Sequence, residues 1–237
     1  MYNLFSKAKS GIWNLFAKEN TYKRWIMLPL LILSGLWFYL LEQNVLVAEY
    51  NLYVRLDDYI PFVPAFVIPY ILWYPYTGLP GFFLFFQSSK EFMKTAAFLL
   101  WGMIISCTVY TLFPNGQELR PENINELEGI FVGLIRSIYG VDTPTNSAPS
   151  IHVIYSVCAH IAIYRYNNQH RRILWINIVS LILSASCILS TVFIKQHSVV
   201  DLVAGLFVSA LLYFAIYIFP DIIIKIRDRK KAENPAD

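Results

Sequence analysis

The sequence predicts an all-α integral membrane bundle of six transmembrane helices, with a short amphipathic helix in the loop between the third and fourth spans. Three observations lead there. The 237 residues are 57% hydrophobic and 15% charged, too apolar for an ordinary soluble domain and for a disordered chain. Six runs free of charge approach or exceed the roughly 17–20 apolar residues that a helix needs to cross a bilayer. Lysine and arginine fall mainly in alternate connections between these runs, as the positive-inside rule requires.

Residues 1–24 carry Lys7, Lys9, Lys18, Lys23 and Arg24, with Ile12, Trp13, Leu15 and Phe16 among them. This segment reads either as an amphipathic piece lying on the membrane surface or as a disordered tail. No small-residue cleavage site follows the next apolar run, which is therefore expected to be a retained first span rather than a signal peptide. The six runs are Trp25–Leu41, Ile60–Phe86, Ala96–Phe113, Ser147–Tyr164, Ile173–Phe193 and Leu202–Pro220. The second contains Pro61, Pro64, Pro69, Pro75 and Pro80. It should be kinked, or end near Tyr76 with a short piece dipping at the surface.

With the N-terminus inside, 15 of the 19 basic residues fall on the inner side, leaving Arg55, Arg120, Arg136 and Lys195 outside. Residues 25–224 are thus expected to form one membrane domain. Residues 225–237, with Lys225, Arg227, Arg229, Lys230 and Lys231, form a basic tail. Both termini are expected to be cytoplasmic in a multi-pass cell-membrane protein. In the long outer loop, Leu127, Ile130, Phe131, Leu134 and Ile135 recur at helical spacing, with Glu126, Glu128 and Arg136 off that stripe. The predicted helix is either a lid or a segment resting on lipid. Cys107, Cys158 and Cys187 sit inside apolar runs without paired spacing. That argues against a disulfide framework or a zinc site and for small packing residues.

Three polar clusters stand at the expected outer ends of the spans, where ionisable groups are costly and are kept for a use. The first is Leu119-Arg120-Pro121, whose guanidinium is shaped for a bidentate grip on phosphate. The second is Pro149-Ser150-Ile151-His152, opening the fourth span. A helix N-terminus there favours an anion, Ser150 offers a hydroxyl and an amide, and His152 offers a proton. The same residues also read as an ordinary serine cap with an interfacial histidine. The third is Lys195-Gln196-His197 followed by Asp201. His197 and Asp201 lie four apart, on one face of a helix, so the carboxylate can fix the imidazole tautomer and free the other nitrogen to attack. Alternatively, the pair merely caps the sixth span. Two histidines and a carboxylate can also hold a metal, but Arg120 and Lys195 nearby imply an anionic ligand.

Together the clusters resemble the type-2 phosphatidic acid phosphatase superfamily, whose pattern is Lys-x6-Arg-Pro, Pro-Ser-Gly-His and Ser-Arg-x5-His-x3-Asp. Arg120-Pro121 matches the first motif. Pro149-Ser150-Ile151-His152 matches the second, with Ile151 at the glycine. Ser190, His197 and Asp201 match the third with its spacing. The likeness runs from about Pro114 to Gly205. Phe113 and Thr191 occupy the positions of two phosphate-gripping cations. Lys195 is the candidate replacement, with Gln117 or Arg136 assisting. The Ser-Thr-Val-Phe-Ile-Lys-Gln-His form looks like the subgroup related to the aureobasidin-sensitive inositol phosphorylceramide synthases, which transfer phosphate-linked head groups.

The resemblance implies a lipid phosphatase that hydrolyses a phosphate or pyrophosphate ester through a phosphohistidine on His197. Asp201 would orient His197, His152 would act as acid and base, and Arg120, Ser150 and Lys195 would hold the phosphate. No cofactor and no metal are implied. The expected partners are a lipid phosphate and the surrounding membrane lipids, without nucleic acid, at a site on the extracytoplasmic face. The alternative is head-group phosphotransfer, for which the missing cations suit a less negative, diester-like substrate. A lipid transporter or flippase using the same pocket is the competing class, since His160 also lies within a span. A transporter of the repeat-built kind would show paired halves, and the sequence has none.

Overall fold

The computed structural model describes residues 21–45, 47–223 and 225–226. The expected surface segment up to residue 20 and the basic tail beyond residue 226 lie outside these residues. The elements run α1 (Thr21–Asn44), β1 (Tyr50–Asn51), α2 (Leu56–Tyr59), a 3-10 turn (Pro64–Phe66), α3 (Val67–Gln87), α4 (Ser89–Leu112), β2 (Asn115–Gly116), α5 (Ile130–Tyr139), α6 (Ile151–His170), α7 (Leu174–Phe193) and α8 (Val199–Tyr213), which continues through a π-helical turn (Phe214–Ile218). Four stretches are long and apolar enough to cross a membrane: Lys23–Asn44, Ser89–Leu112, Leu174–Phe193 and Val199–Ile223. The chain is a helical membrane protein, with strand confined to short pairings among the described residues.

The remaining long helices, α3 and α6, contain 21 and 20 residues. α6 is the centre of the bundle and packs against α3, α4, α7 and α8. Its position explains its composition. A helix sheathed by other helices can keep His152, Ser156, His160 and Asn167 on its surface, because these side chains meet protein groups rather than lipid. Ile154 and Cys158 pack with Phe98 of α4 and with Val208 and Leu212 of α8. Ala159 packs with Tyr76 of α3 and Cys187 of α7. At the end far from Ser150, Arg165 of α6 pairs with buried Glu91 of α4 at 3.1 Å.

The second apolar run departs from its expected form. The helix begins only at Val67, after an extended stretch and the 3-10 turn, because Pro61 and Pro64 supply no backbone donors and Pro69 fits a first helical turn. It then continues past Tyr76 to Gln87 with Pro75 and Pro80 inside it. In the long loop, the helix starts at Ile130, behind Gly129 at a φ of 122° that suits glycine alone, and Leu127 falls in the irregular stretch before it. Val132 and Ile135 are its buried residues, and Ile135 packs against Val67, Tyr70 and Ile194. Ile130, Phe131 and Leu134 remain exposed.

The connections at the Ser150 end are tied together by backbone and amide bonds. β1 pairs in parallel with β2, and Gly116 bridges to Thr145. Buried Asn115 shapes the segment ahead of α6: its Oδ1 accepts from the amides of Ser147 (3.0 Å) and Ala148 (2.8 Å), and its Nδ2 donates to the Ala148 carbonyl.

Candidate active site

His197 is held by the turn between α7 and α8. α7 ends at Phe193, Lys195 takes a left-handed φ of 57°, and the amides of Gln196 and His197 both return to the Thr191 carbonyl, at 2.8 and 3.0 Å. This closes the open end of α7. Ser198 then caps α8, forming a capping box with Asp201. Asp201 Oδ2 accepts from the Ser198 amide at 3.0 Å and stands 3.0 Å from His197 Nδ1. One fully buried carboxylate therefore caps a helix and contacts an imidazole.

With Asp201 accepting from Nδ1–H, His197 Nε2 carries the free lone pair. That nitrogen lies 3.3 Å from Ser150 Oγ and 3.3 Å from His152 Nδ1. Ser150 caps α6, its hydroxyl accepting from the Val153 amide, while its own amide donates to the Asp201 carbonyl at 3.2 Å. The Ser150 amide thus ties α6 to α8, leaving the hydroxyl as its group nearest His197. His152 is sandwiched by Tyr70 and Trp73 of α3, at ring-centroid distances of 4.8 and 4.3 Å. Its Nε2 is buried without a partner, as is Asp201 Oδ1.

A cavity of about 370 Å³ opens over the two histidines. Its walls are aromatic (Phe38, Tyr39, Trp73, Tyr74), with Glu42, Asp142, Thr143, Asn146 and Gln196 supplying polar atoms. No lysine or arginine is among its lining residues.

The two expected phosphate-binding cations stand outside it. Arg120 stacks on Tyr139 at 4.1 Å and donates to the carbonyls of Tyr139 and Asp142 and, at 2.8 Å, to Gln196 Oε1. Lys195 turns away, its Nζ bonding the Asp57 carbonyl at 2.8 Å. Burial draws both groups below their ordinary pKa, with Asp57 and Asp58 opposing this at Lys195. Gln117 donates to the carbonyls of Lys195 and Gln196, bracing the His197 turn, while Arg136 donates to the Asn125 carbonyl. Among the described residues, no group of three or more His, Cys, Asp and Glu side chains is placed to share a metal ion.

Several site residues carried no sequence motif. Asp57, 1% exposed, accepts from Ser198 Oγ and from the Val199 amide, both at 2.8 Å, and so holds the N-terminus of α8. Glu42 accepts from Asn146 Nδ2 (2.8 Å) and Thr143 Oγ1 (2.7 Å). Asp142 accepts from the Tyr70 hydroxyl. Glu42 near the end of the first apolar run and Asp57 just before the second were acids placed beside apolar runs, and that was their only signal.

An Asp–His–His line lies beneath a cavity within a bundle of membrane-length helices, an arrangement that suits nucleophilic and acid–base chemistry. Residues 95–224, more than half of the chain, match the PAP2 superfamily, and the chain belongs to it. Membership supports an activity of the phosphatase or phosphotransferase type. No curated protein and no solved structure matches the chain.

Proposed function

We propose that the protein is a membrane-embedded enzyme that cleaves the phosphoester bond of a lipid through a phosphohistidine on His197, with water as the usual acceptor. The observation that carries this reading is the contact line from Asp201 through His197 to His152, with Ser150 beside the reacting nitrogen. Asp201 keeps the Nδ1 proton in place and stabilises the positive imidazole that forms as Nε2 attacks phosphorus. His152 protonates the departing alkoxide and then deprotonates the water that releases the phosphate. A substrate phosphate would separate the two imidazoles and occupy the gap between them. The Ser150 hydroxyl is the donor closest to that gap. Arg120 acts on the site through Gln196, and Lys195 through Asp57.

The same site reads secondly as a head-group phosphotransferase of the inositol phosphorylceramide synthase type. The cavity lining, free of lysine and arginine, favours this, because a diester carries less charge than a phosphate monoester. All six long helices are assigned to the membrane. α3 and α6 are each about 30 Å long at 1.5 Å per residue, and α3 turns Leu72, Leu79, Phe82 and Phe83 outward. Both termini are placed in the cytoplasm, with the histidines at the opposite end.

Purified protein incubated with lipid phosphoesters tests the reading. His197→Ala should lose turnover entirely. Quenching the wild type in alkaline detergent during turnover should trap a base-stable, acid-labile phosphoryl group that the variant lacks. A His197→Ala protein with wild-type turnover sinks the assignment. Product analysis with and without an added lipid alcohol then separates hydrolysis from transfer.

A further inference from the structure

The cavity over the histidines is walled by Tyr39 and Glu42 of α1, Trp73 and Tyr74 of α3, and Asp142, with the Trp73 ring 4.3 Å from that of His152. Glu42 is 7% exposed and its partners are neutral donors, Asn146 Nδ2 and the amide and hydroxyl of Thr143. Neither Glu42 nor Asp142 makes an ion pair among the described residues. Asn146, 4% exposed, also faces the cavity, and its Oδ1 is buried without a partner. The lining therefore presents acceptors and two carboxylates on aromatic walls, with Arg120 behind it on the Asp142 carbonyl and Gln196.

Such a surface repels a phosphate dianion and suits a cation. Carboxylates attract an ammonium group, and aromatic faces add cation–π stabilisation that grows as the site is desolvated. We propose that the substrate is a lipid phosphodiester whose head group bears an ammonium or quaternary ammonium. The ammonium sits against Glu42, Trp73 and Tyr74, and its phosphorus sits at His197. This inference rests on the reading of His197 as the nucleophile. In the first step, His197 Nε2 bonds to phosphorus, and the bond from phosphorus to the lipid oxygen breaks with its electron pair. The proton on His152 passes to that oxygen, so a lipid alcohol departs and the head-group phosphate remains on His197. A water or alcohol then gives its proton to His152 and displaces His197 from phosphorus. That step releases the phosphorylated head group or a new diester and restores both histidines.

The test uses the full-length protein in detergent with four lipids of identical acyl chains, bearing ethanolamine, choline, glycerol or a bare phosphate. The expected kcat/KM for the ammonium-bearing lipids exceeds that for the glycerol lipid by about tenfold or more, the scale of a desolvated cation–π contact. Phosphocholine should inhibit, and inorganic phosphate at the same concentration should not. Glu42→Gln should shrink the ammonium-over-glycerol ratio. Should that variant fail to fold, the wild-type ratio and the inhibitor pair decide alone. Preference for the bare phosphate or the glycerol lipid, with turnover lost in His197→Ala, overturns the head-group inference and leaves the nucleophile standing. Turnover that survives His197→Ala, or no turnover of any of the four lipids, overturns both.

Discussion

Asp201 shows how much one side chain carries at the residue scale. Its Oδ2 receives the Ser198 amide and the His197 ring, so the start of α8 and the direction of the His197 imidazole depend on the same carboxylate. Asp201→Asn preserves shape but removes the charge that favours imidazolium. The variant should lose about 10²–10⁴-fold in kcat with little change in KM, since the contact gains strength only as charge develops. Weakening of the cap should cost about 1 kcal/mol, visible as a Tm lowered by a few degrees. A proportionate fall in stability with unchanged kcat would reduce Asp201 to a cap. Lys195 makes the opposite case. Its charge suggested a phosphate ligand, but the left-handed backbone at that residue turns the ammonium to the Asp57 carbonyl. A one-dimensional motif has no means of recording that turn.

At the scale of elements, the site exists because α8 meets the first turn of α6. A Cβ on Gly205 would lie 2.9 Å from the Ser150 carbonyl and 2.8 Å from Val153 Cβ, so α8 can approach α6 this closely only with glycine there. Gly205→Val should push the helices apart and lengthen the separation of His197 from Ser150 and His152. Turnover should drop by at least about tenfold, since misplacement of the order of 1 Å can cost about 10²-fold. The measurement is kcat on protein shown by circular dichroism to keep its helix content. Asp57 holds the same junction from the other side. His197 with Asp201, and Ser150 with His152, were readable because their spacing is local and chemically specific. Asp57 was not, because its partner Ser198 is 141 positions away, and Glu42 meets Asn146 across 104. Helix existence was likewise readable from apolar runs. The start of α3 was not, because it depends on how Pro61 and Pro64 let the chain leave the loop before a helix can form.

For the whole molecule, the walls of the cavity come from both parts of the chain. Ser150, His152, His197 and Asp201 lie inside the stretch matched to the superfamily, as do Asp142, Thr143 and Asn146 of the wall, whereas Tyr39, Glu42, Trp73 and Tyr74 of the wall precede it. α1 and α3 thus contribute an acidic and aromatic part of the wall beside the two histidines. The arrangement also makes the orientation testable without altering the site. The α5 side of the bundle carries exposed Glu128, the connection between α6 and α7 carries exposed Arg171, and all three native cysteines are buried. If both termini are cytoplasmic, Glu128→Cys in intact cells should react with a membrane-impermeant maleimide. Arg171→Cys should react only after the membrane is opened, and the parent protein should stay nearly unlabelled in both conditions. Reversal of that pattern would put the histidines on the cytoplasmic side. Labelling of both variants in intact cells would mean that α6 does not cross, because these positions flank opposite ends of that helix.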